Sequence, residues 1–351
     1  MTEFDYDLPP DRIAQHPVEP RDAARLLVDR GPGRPIEHRH VSDLPELLGG
    51  GDVVVVNDTR VLPARLRMRK QSGGATEVLL LEPDAEPGTW TALVRPGRRL
   101  RPGTLLRSAV AGADVEVVVG EEVAPGTRSV ELTAGGEPVG GDAAERVLEG
   151  VGEVPLPPYI RTGLADPERY QTVFARAPGS VAAPTAGLHL TEPLLERIRS
   201  RGARIEPVEL AVGLATFRPV TVDDPADHVM HSERYRVPEL TWEACACAHR
   251  VVAVGTTTMR ALEAAAATGA LAGRTDLFIR PPYDFAVVDT LVTNFHMPRS
   301  TLLLMIDAFV GRRWRQLYDE ALSSRYRFGS FGDAMWLERA LGVAEATCRD
   351  G

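Results

Sequence analysis

The sequence predicts a mixed α/β main domain interrupted by an inserted all-β module. Three observations carry this. Short apolar runs, Val53–Val56 and Val251–Val254, read as strands buried on both faces, and each opens into a polar loop. From Val61 to about Val154 the texture changes to β-like runs at 76–82, 89–95, 104–109, 114–119 and 128–133, broken by Gly and Pro. That pattern fits a small antiparallel barrel or sandwich. Beyond the stiff connector Pro155-Leu156-Pro157-Pro158, strand and helix signals alternate again. A chain of 351 residues is long enough for two domains. The expected division is 1–60 with 155–351 for the main domain, and 61–154 for the insert.

In chain order, residues 10–14 read as a short helix and 21–28 as a link and a strand. Ser42 is expected to cap a helix over 43–48 that Gly49–Gly51 ends. Val53–Val56 runs into Asn57-Asp58-Thr59-Arg60, a polar loop where α/β proteins place chemistry. A helix at 142–149 closes the β module. The Pro/Gly/Ala-rich run from Pro178 to His189 lets backbone approach a ligand. Thr191 and Pro193 start a helix ending near Arg201, and Ile205–Leu210 follows as a strand, so 181–212 reads as a βαβ-like unit. A helix at 239–249 precedes Val251–Val254, which opens into Gly255-Thr256-Thr257-Thr258 and a helix from Met259. Those threonines are either an anion site or an ordinary cap. Thr275–Ile279 reads as a strand. So does Val287–Thr293, which meets Asn294-Phe295-His296, with Ser300 or Thr301 capping an apolar helix through Phe309. A helix over 314–324 leads into Tyr326–Met335, a glycine- and aromatic-rich loop holding Arg327 and Asp333.

Composition excludes several classes. No apolar run approaches the ~18 residues of a membrane span, and the acidic N-terminus lacks a signal-peptide core. Cys245, Cys247 and Cys348 make neither a metal quartet nor a disulfide framework, so a reducing, cytoplasmic setting is expected. Lys70 is the single lysine and is followed by Gln, so there is no Gly-Lys-Ser/Thr phosphate loop, and no Gly-x-Gly-x-x-Gly follows a strand. The net charge of −9 argues against an extended nucleic-acid binder, yet residues 65–107 hold nine basic residues against four acidic ones. Those arginines could meet phosphates or simply be a solvated surface. His228-Val-Met-His231-Ser-Glu233 carries metal-ligand residue types without zincin spacing or a fourth ligand. Metal, polar-site and structural readings of it all stay open.

Six segments, 56–65, 182–189, 227–233, 254–263, 293–302 and 326–335, together resemble the S-adenosylmethionine:tRNA ribosyltransferase-isomerase family of queuosine biosynthesis. They run Val-Asn-Asp-Thr-Arg-Val-Leu-Pro-Ala-Arg, Ala-Ala-Pro-Thr-Ala-Gly-Leu-His, Asp-His-Val-Met-His-Ser-Glu, Val-Gly-Thr-Thr-Thr-Met-Arg-Ala-Leu-Glu, Thr-Asn-Phe-His-Met-Pro-Arg-Ser-Thr-Leu, and Tyr-Arg-Phe through Gly-Asp-Ala-Met. The resemblance implies that the inserted module is a closed β-barrel. It implies transfer and isomerisation of the ribosyl part of S-adenosylmethionine onto 7-aminomethyl-7-deazaguanine at the tRNA wobble position. The product is epoxyqueuosine-tRNA, with adenine and methionine released, and no metal is needed.

The matched positions supply His189, His231, Glu233 and His296 as acid/base candidates, tunable by burial toward neutrality. Arg60 and Arg260 are expected to hold the methionyl carboxylate bidentately, with Thr256, Thr257 and Thr258 assisting. Asn294 and Asp333 are expected to pair with base edges or ribose hydroxyls, and Phe295 and Phe328 to stack on purines. Asp58, Thr59, Thr185, His228 and Arg327 complete the expected substrate-binding set. Expected partners are the modified tRNA and S-adenosylmethionine, with no membrane, the chain acting as a monomer. The sequence departs from the family pattern at Leu214-Ala215, Pro282, Leu190 and Gly329. The departures keep an alternative open, a related S-adenosylmethionine-dependent transferase acting on a free nucleoside or small molecule. A catalytically silent RNA binder using the basic module is the other alternative.

Overall fold

The structure is a computed structural model and describes residues 1–97, 100–124, 126–213, 222 and 224–339. The first stretch supplies β1 (Arg25–Asp29), β2 (Glu37–His40), the short helix α1 (Leu44–Leu47), β3 (Asp52–Asn57) and β4 (Thr59–Val61). Next come β5 (Arg65–Lys70), β6 (Ala75–Pro83), β7 (Thr89–Arg95), β8 (Thr104–Ser108), β9 (Val115–Ala124), β10 (Thr127–Ala134), β11 (Glu137–Pro138), α2 (Gly141–Val151) and β12 (Gly152–Glu153). The remainder gives β13 (Ala177–Ser180), α3 (Glu192–Ser200), β14 (Arg204–Leu210), β15 (Glu233–Arg236), α4 (Glu239–Ala246), β16 (Arg250–Val254) and α5 (Thr256–Thr268). It closes with β17 (Ala272–Thr275), β18 (Thr290–Asn294), α6 (Thr301–Val310), α7 (Trp314–Ser323) and β19 (Ala334–Glu338).

The contacts separate two compact units. One comprises Met1–Thr59, Pro157–Ala177 and the chain from Ala183 on; the other comprises Arg60–Leu156 and Pro178–Ala182. In the second unit the strands follow the order β10-β7-β6-β5-β8-β9, and β9 pairs back to β10, so six antiparallel strands close a barrel. Closure leaves no exposed edge among those six, and alternation fills the inside. Val78, Leu80, Ala92, Val94, Leu106, Val117, Val130 and Leu132 are all buried.

Strand β5 was not among the expected runs. Its sequence, Arg-Leu-Arg-Met-Arg-Lys, alternates strictly, but the arginines hide the signal; Leu66 and Met68 point in while Arg67 and Arg69 are exposed. Carboxylates already answer part of the basic surface. Arg67 pairs with Glu77 at 3.2 Å and Glu153 at 3.1 Å, and Arg107 with Glu116 at 2.9 Å. Arg98 and Arg99 lie outside the described residues.

In the first unit, nine strands among the described residues follow the order β17-β15-β14-β3-β16-β18-β19-β1-β2. Pairs β14–β3, β3–β16 and β16–β18 are parallel. Every residue of β3 and β18 is buried, as central strands of a covered sheet require. Leu194, Leu195 and Ile198 of α3 join Val54, Val56, Val252 and Val254 in one apolar cluster. This is the mixed α/β fold with a closed barrel that the sequence and the resemblance predict.

Several local readings change. Residues 181–212 are not a βαβ unit, because Thr185–His189 forms a 3₁₀ turn behind Pro184 and the parallel partner of β14 is β3. Ser42 does not cap a helix: it sits inside the 3₁₀ turn Val41–Asp43, where the Asp43 carboxylate accepts from the His40 N–H at 2.9 Å. The strand expected at 275–279 does not form: β17 ends at Thr275, where that stretch begins, and pairs with β15. No helix among the described residues is long and apolar enough to cross a membrane.

Candidate active site

Parallel pairing aligns the C-terminal ends of β14, β3, β16 and β18, so their polar loops meet at one sheet edge. Strand β3 ends in Asn57, 1% exposed. Its Nδ2 donates to the Leu210 carbonyl at 3.0 Å and to Thr257 Oγ1 at 3.2 Å, and its Oδ1 accepts from the Thr59 N–H at 3.2 Å. One amide therefore ties the end of β14 and the loop after β3 to the first turn of α5. The motif around Asn57 was legible, but its neighbours were the ones expected to act.

Strand β16 turns into α5 at Gly255, whose φ of +95° a side-chain-bearing residue rarely adopts. The turn is so tight that the helix starts at Thr256 rather than Met259. Thr258 Oγ1 donates back to the Val254 carbonyl at 2.7 Å, which retires it from ligand binding, while Thr256 and Thr257 line a cavity.

Strand β18 delivers Asn294. Its Nδ2 donates to His189 Nε2 at 3.0 Å and to the Gly329 carbonyl at 3.3 Å, and its Oδ1 accepts from Thr185 Oγ1 at 3.1 Å. His189 Nε2 is thus an acceptor, the neutral tautomer. Burial drives its pKa down to about 4, with the Arg327 and Arg21 charges adding to the effect. Two residues beyond Asn294, burial alone drives His296 down to about 3. His296 Nε2 lies 3.2 Å from Thr293 Oγ1, its backbone N–H donates to Tyr318 Oη at 3.0 Å, and its carbonyl accepts from the Tyr6 hydroxyl. The expected tuning toward neutrality is corrected: both imidazoles are held well below it, because among the described residues no carboxylate offsets their burial.

These loops enclose a cavity of about 320 Å³, at the small end of ligand sites. Thr185, Thr256, Thr257, Asn294, His296 and Ser330 give its polar surface, and Ala183, Pro184, Val212, Met297 and Leu302 its apolar surface. No Asp, Glu, Lys or Arg lines it among the described residues. The N-termini of α5 and α6 both open onto it, the latter through Ser300, whose side chain accepts from the Leu303 N–H at 3.3 Å. Tyr159, read in the sequence only as part of a proline-rich connector, also lines it and bonds Ser330 Oγ at 2.7 Å. The departure at Gly329 has a local reason: φ is +82°, and a Cβ there would come within 3.1 Å of the Tyr159 ring.

Other expected residues are placed elsewhere. His228, His231, Glu233 and Arg260 line a second cavity of about 30 Å³. They do not form a ligand set, since Glu233 is buried in an ion pair with Arg260 and His231 is exposed. Phe295 is among the residues lining the larger cavity, but its ring packs on Phe328 at 4.9 Å in an aromatic cluster with Tyr318 and Tyr326, and both phenyl rings are fully buried, so neither offers an exposed face for purine stacking. The Asp333 carboxylate accepts from the Arg25 and Arg327 N–H groups at 3.1 and 2.8 Å and pairs with the Arg327 side chain at 3.4 Å, so this pair clasps its own loop. Asp58 and Thr59 do not line the cavity, and burial raises the Asp58 pKa, with Glu209 adding to it. Arg60 belongs to the barrel unit. Leu214-Ala215 lies outside the described residues.

The buried neutral histidines set an acid limit on the fold. The unfolded chain protonates each near pH 6.5 and the folded chain only near 4 or 3, so the unfolded state binds more protons in between. Stability is therefore full above pH 6.5 and falls as the pH drops below it, by ~3 kcal/mol per histidine at pH 4. Urea unfolding between pH 8 and pH 4 checks this; a flat profile contradicts it.

Comparison with known proteins decides the family. A family profile described as queuosine biosynthesis protein matches residues 1–337. The chain belongs to this family. Among similar members of the queuosine biosynthesis family, an S-adenosylmethionine:tRNA ribosyltransferase-isomerase of Thermus thermophilus is 51% identical over 350 residues, covering 95% of this chain and 97% of that protein. One from Synechococcus elongatus is 49% identical over 344 residues, covering 95% and 94%. A solved Thermotoga maritima structure described as S-adenosylmethionine tRNA ribosyltransferase is 37% identical and covers 95% of this chain and 99% of its own, with a TM-score of 0.54.

Proposed function

We propose that this chain transfers and isomerises the ribosyl group of S-adenosylmethionine onto 7-aminomethyl-7-deazaguanine in the wobble position of tRNA. The product is epoxyqueuosine-tRNA, and adenine and methionine leave. Similarity over 95% of the chain to relatives named S-adenosylmethionine:tRNA ribosyltransferase-isomerase supports the reading. The observation that carries it in this molecule is the 320 Å³ cavity, free of charged side chains among the described residues and lined by the His296 imidazole, which burial keeps neutral. A sulfonium beside an imidazolium would be repelled; beside a neutral imidazole it is not.

The first chemical task is loss of a proton from the ribose carbon next to sulfur, which the sulfonium acidifies. His296 lines the cavity with a neutral ring and serves as the acceptor. The transfer conserves charge in the site: the sulfonium becomes an overall neutral ylide as the imidazole becomes cationic. That conservation lets a weakly basic, buried histidine act without creating a new net charge in a dry cavity. His189 stays behind Asn294 and orients it, and Asn294 with Thr185 holds ribose hydroxyls or a base edge.

The test is adenine release, followed by chromatography, from S-adenosylmethionine and tRNA carrying the aminomethyl-deazaguanine. Stoichiometric adenine per acceptor is expected. No adenine with this tRNA, while a free deazaguanine base supports release, would overturn the tRNA assignment.

A further inference from the structure

The second cavity contains a guanidinium with one hand empty. Arg260 is held at two points: Nη1 by the Glu233 carboxylate, and Nε by the Leu277 carbonyl at 3.2 Å. Glu233 is itself fixed, because its other oxygen accepts from the Gly213 N–H at 3.0 Å. Arg260 Nη2 has no hydrogen-bond partner among the described residues, although the side chain is only 7% exposed. A buried charged donor left unsatisfied is costly. The two fixed points stop the guanidinium from swinging out to water. Arg260 is one of the residues lining this cavity, with His228, His231, Leu302 and Met305 among the others.

The volume, about 30 Å³, admits a carboxylate or one water, not a ribose or a purine. Its position relative to the larger cavity is set by two helices. On α5, Thr256 and Thr257 line the larger cavity and Arg260, about one turn on, lines the smaller. On α6, Ser300 lines the larger, Thr301 the smaller and Leu302 both. A ligand reaching from one to the other needs a flexible apolar arm ending in an anion.

We propose that Arg260 Nη2 binds the α-carboxylate of the methionyl arm of S-adenosylmethionine, while the adenosyl part occupies the larger cavity. This rests on the reading of function above. Glu233 is the positioning residue that aims the guanidinium. The contact is a single donor rather than the bidentate grip expected from sequence, because the other edge is spent on Glu233.

Equilibrium binding to the full chain tests it, with three ligands: S-adenosylmethionine, its decarboxylated form, and 5′-methylthioadenosine, which lacks the amino-acid arm. The wild type should prefer S-adenosylmethionine over the decarboxylated sulfonium by roughly 10–100-fold, the range of a charge-assisted hydrogen bond. The chain's net charge of −9 works against that preference, since the decarboxylated form is the more cationic. Arg260→Gln should bring the ratio to one or below, and Glu233→Gln should reduce it, with 5′-methylthioadenosine affinity unchanged in both. An equal affinity of wild type for the two sulfoniums overturns the subsite and leaves the cavity holding water only; this comparison needs no variant to fold. A preference that survives in Arg260→Gln overturns it as well. No binding of any of the three ligands overturns the functional reading itself.

Discussion

His296→Ala is expected to lower the rate of adenine release about 10³-fold, the usual contribution of a positioned proton acceptor. Its melting temperature should stay close to wild type. The loop is held by backbone groups that alanine keeps, the His296 N–H on Tyr318 and its carbonyl on Tyr6. Removing the ring also removes a buried group that resists protonation, so the variant should lose less stability between pH 6.5 and pH 4 than the wild type does. Single-turnover kinetics with the modified tRNA measure the first effect, and unfolding at two pH values the second. A variant turning over at a near-normal rate takes His296 out of the chemistry.

Asn294→Asp is the second large effect, and it acts through charge rather than size. The amide Nδ2 donates to His189 Nε2 and to the Gly329 carbonyl; a carboxylate has no N–H to give. Its oxygen would face two acceptors, and the relief available is for His189 to take a proton. The His189 pKa should therefore climb from about 4 by ~1–3 units, as for a close opposite charge. Misalignment of the Thr185 side should cost ~10²-fold in kcat/KM. Imidazole nitrogen NMR reads the first and steady-state kinetics the second. An unshifted His189 in a well-folded variant would overturn the expectation that a carboxylate at position 294 offsets the burial that keeps that ring neutral.

The sequence exposed those parts of the molecule whose signal is local. The strands of the insert, the Ser300 and Thr191 caps and the buried strands β3 and β16 each follow from a periodicity or a cap within a few residues. Strand β5 did not, because arginines on its outer face outweighed two inner apolar residues in any short window. The site was legible as loops but not as an assembly. Which loops share a wall depends on which strands run parallel, and that is a property of pairing, not of spacing. Hence Asn294, Thr185 and His296 line one cavity, while His231, Phe328 and Asp333 are drawn into a second cavity, an aromatic cluster and a loop clasp. Tyr159 was missed because a proline-flanked residue reads as connector.

The parallel pair β3–β14 has a consequence for how the chain reaches its native state. The two strands are neighbours, yet residues 58–203 lie between them, and the whole barrel sits in that crossover. Closing so long a loop from a disordered chain carries an entropy penalty that grows with the logarithm of its length. The barrel strands, by contrast, mostly pair with near neighbours in sequence. Within the same compact unit the Leu62 N–H donates to the Ser180 carbonyl at 3.0 Å, a contact that spans most of the crossover. Early formation of the locally paired barrel strands therefore leaves a shorter stretch of disordered chain to close before β14 can pair with β3.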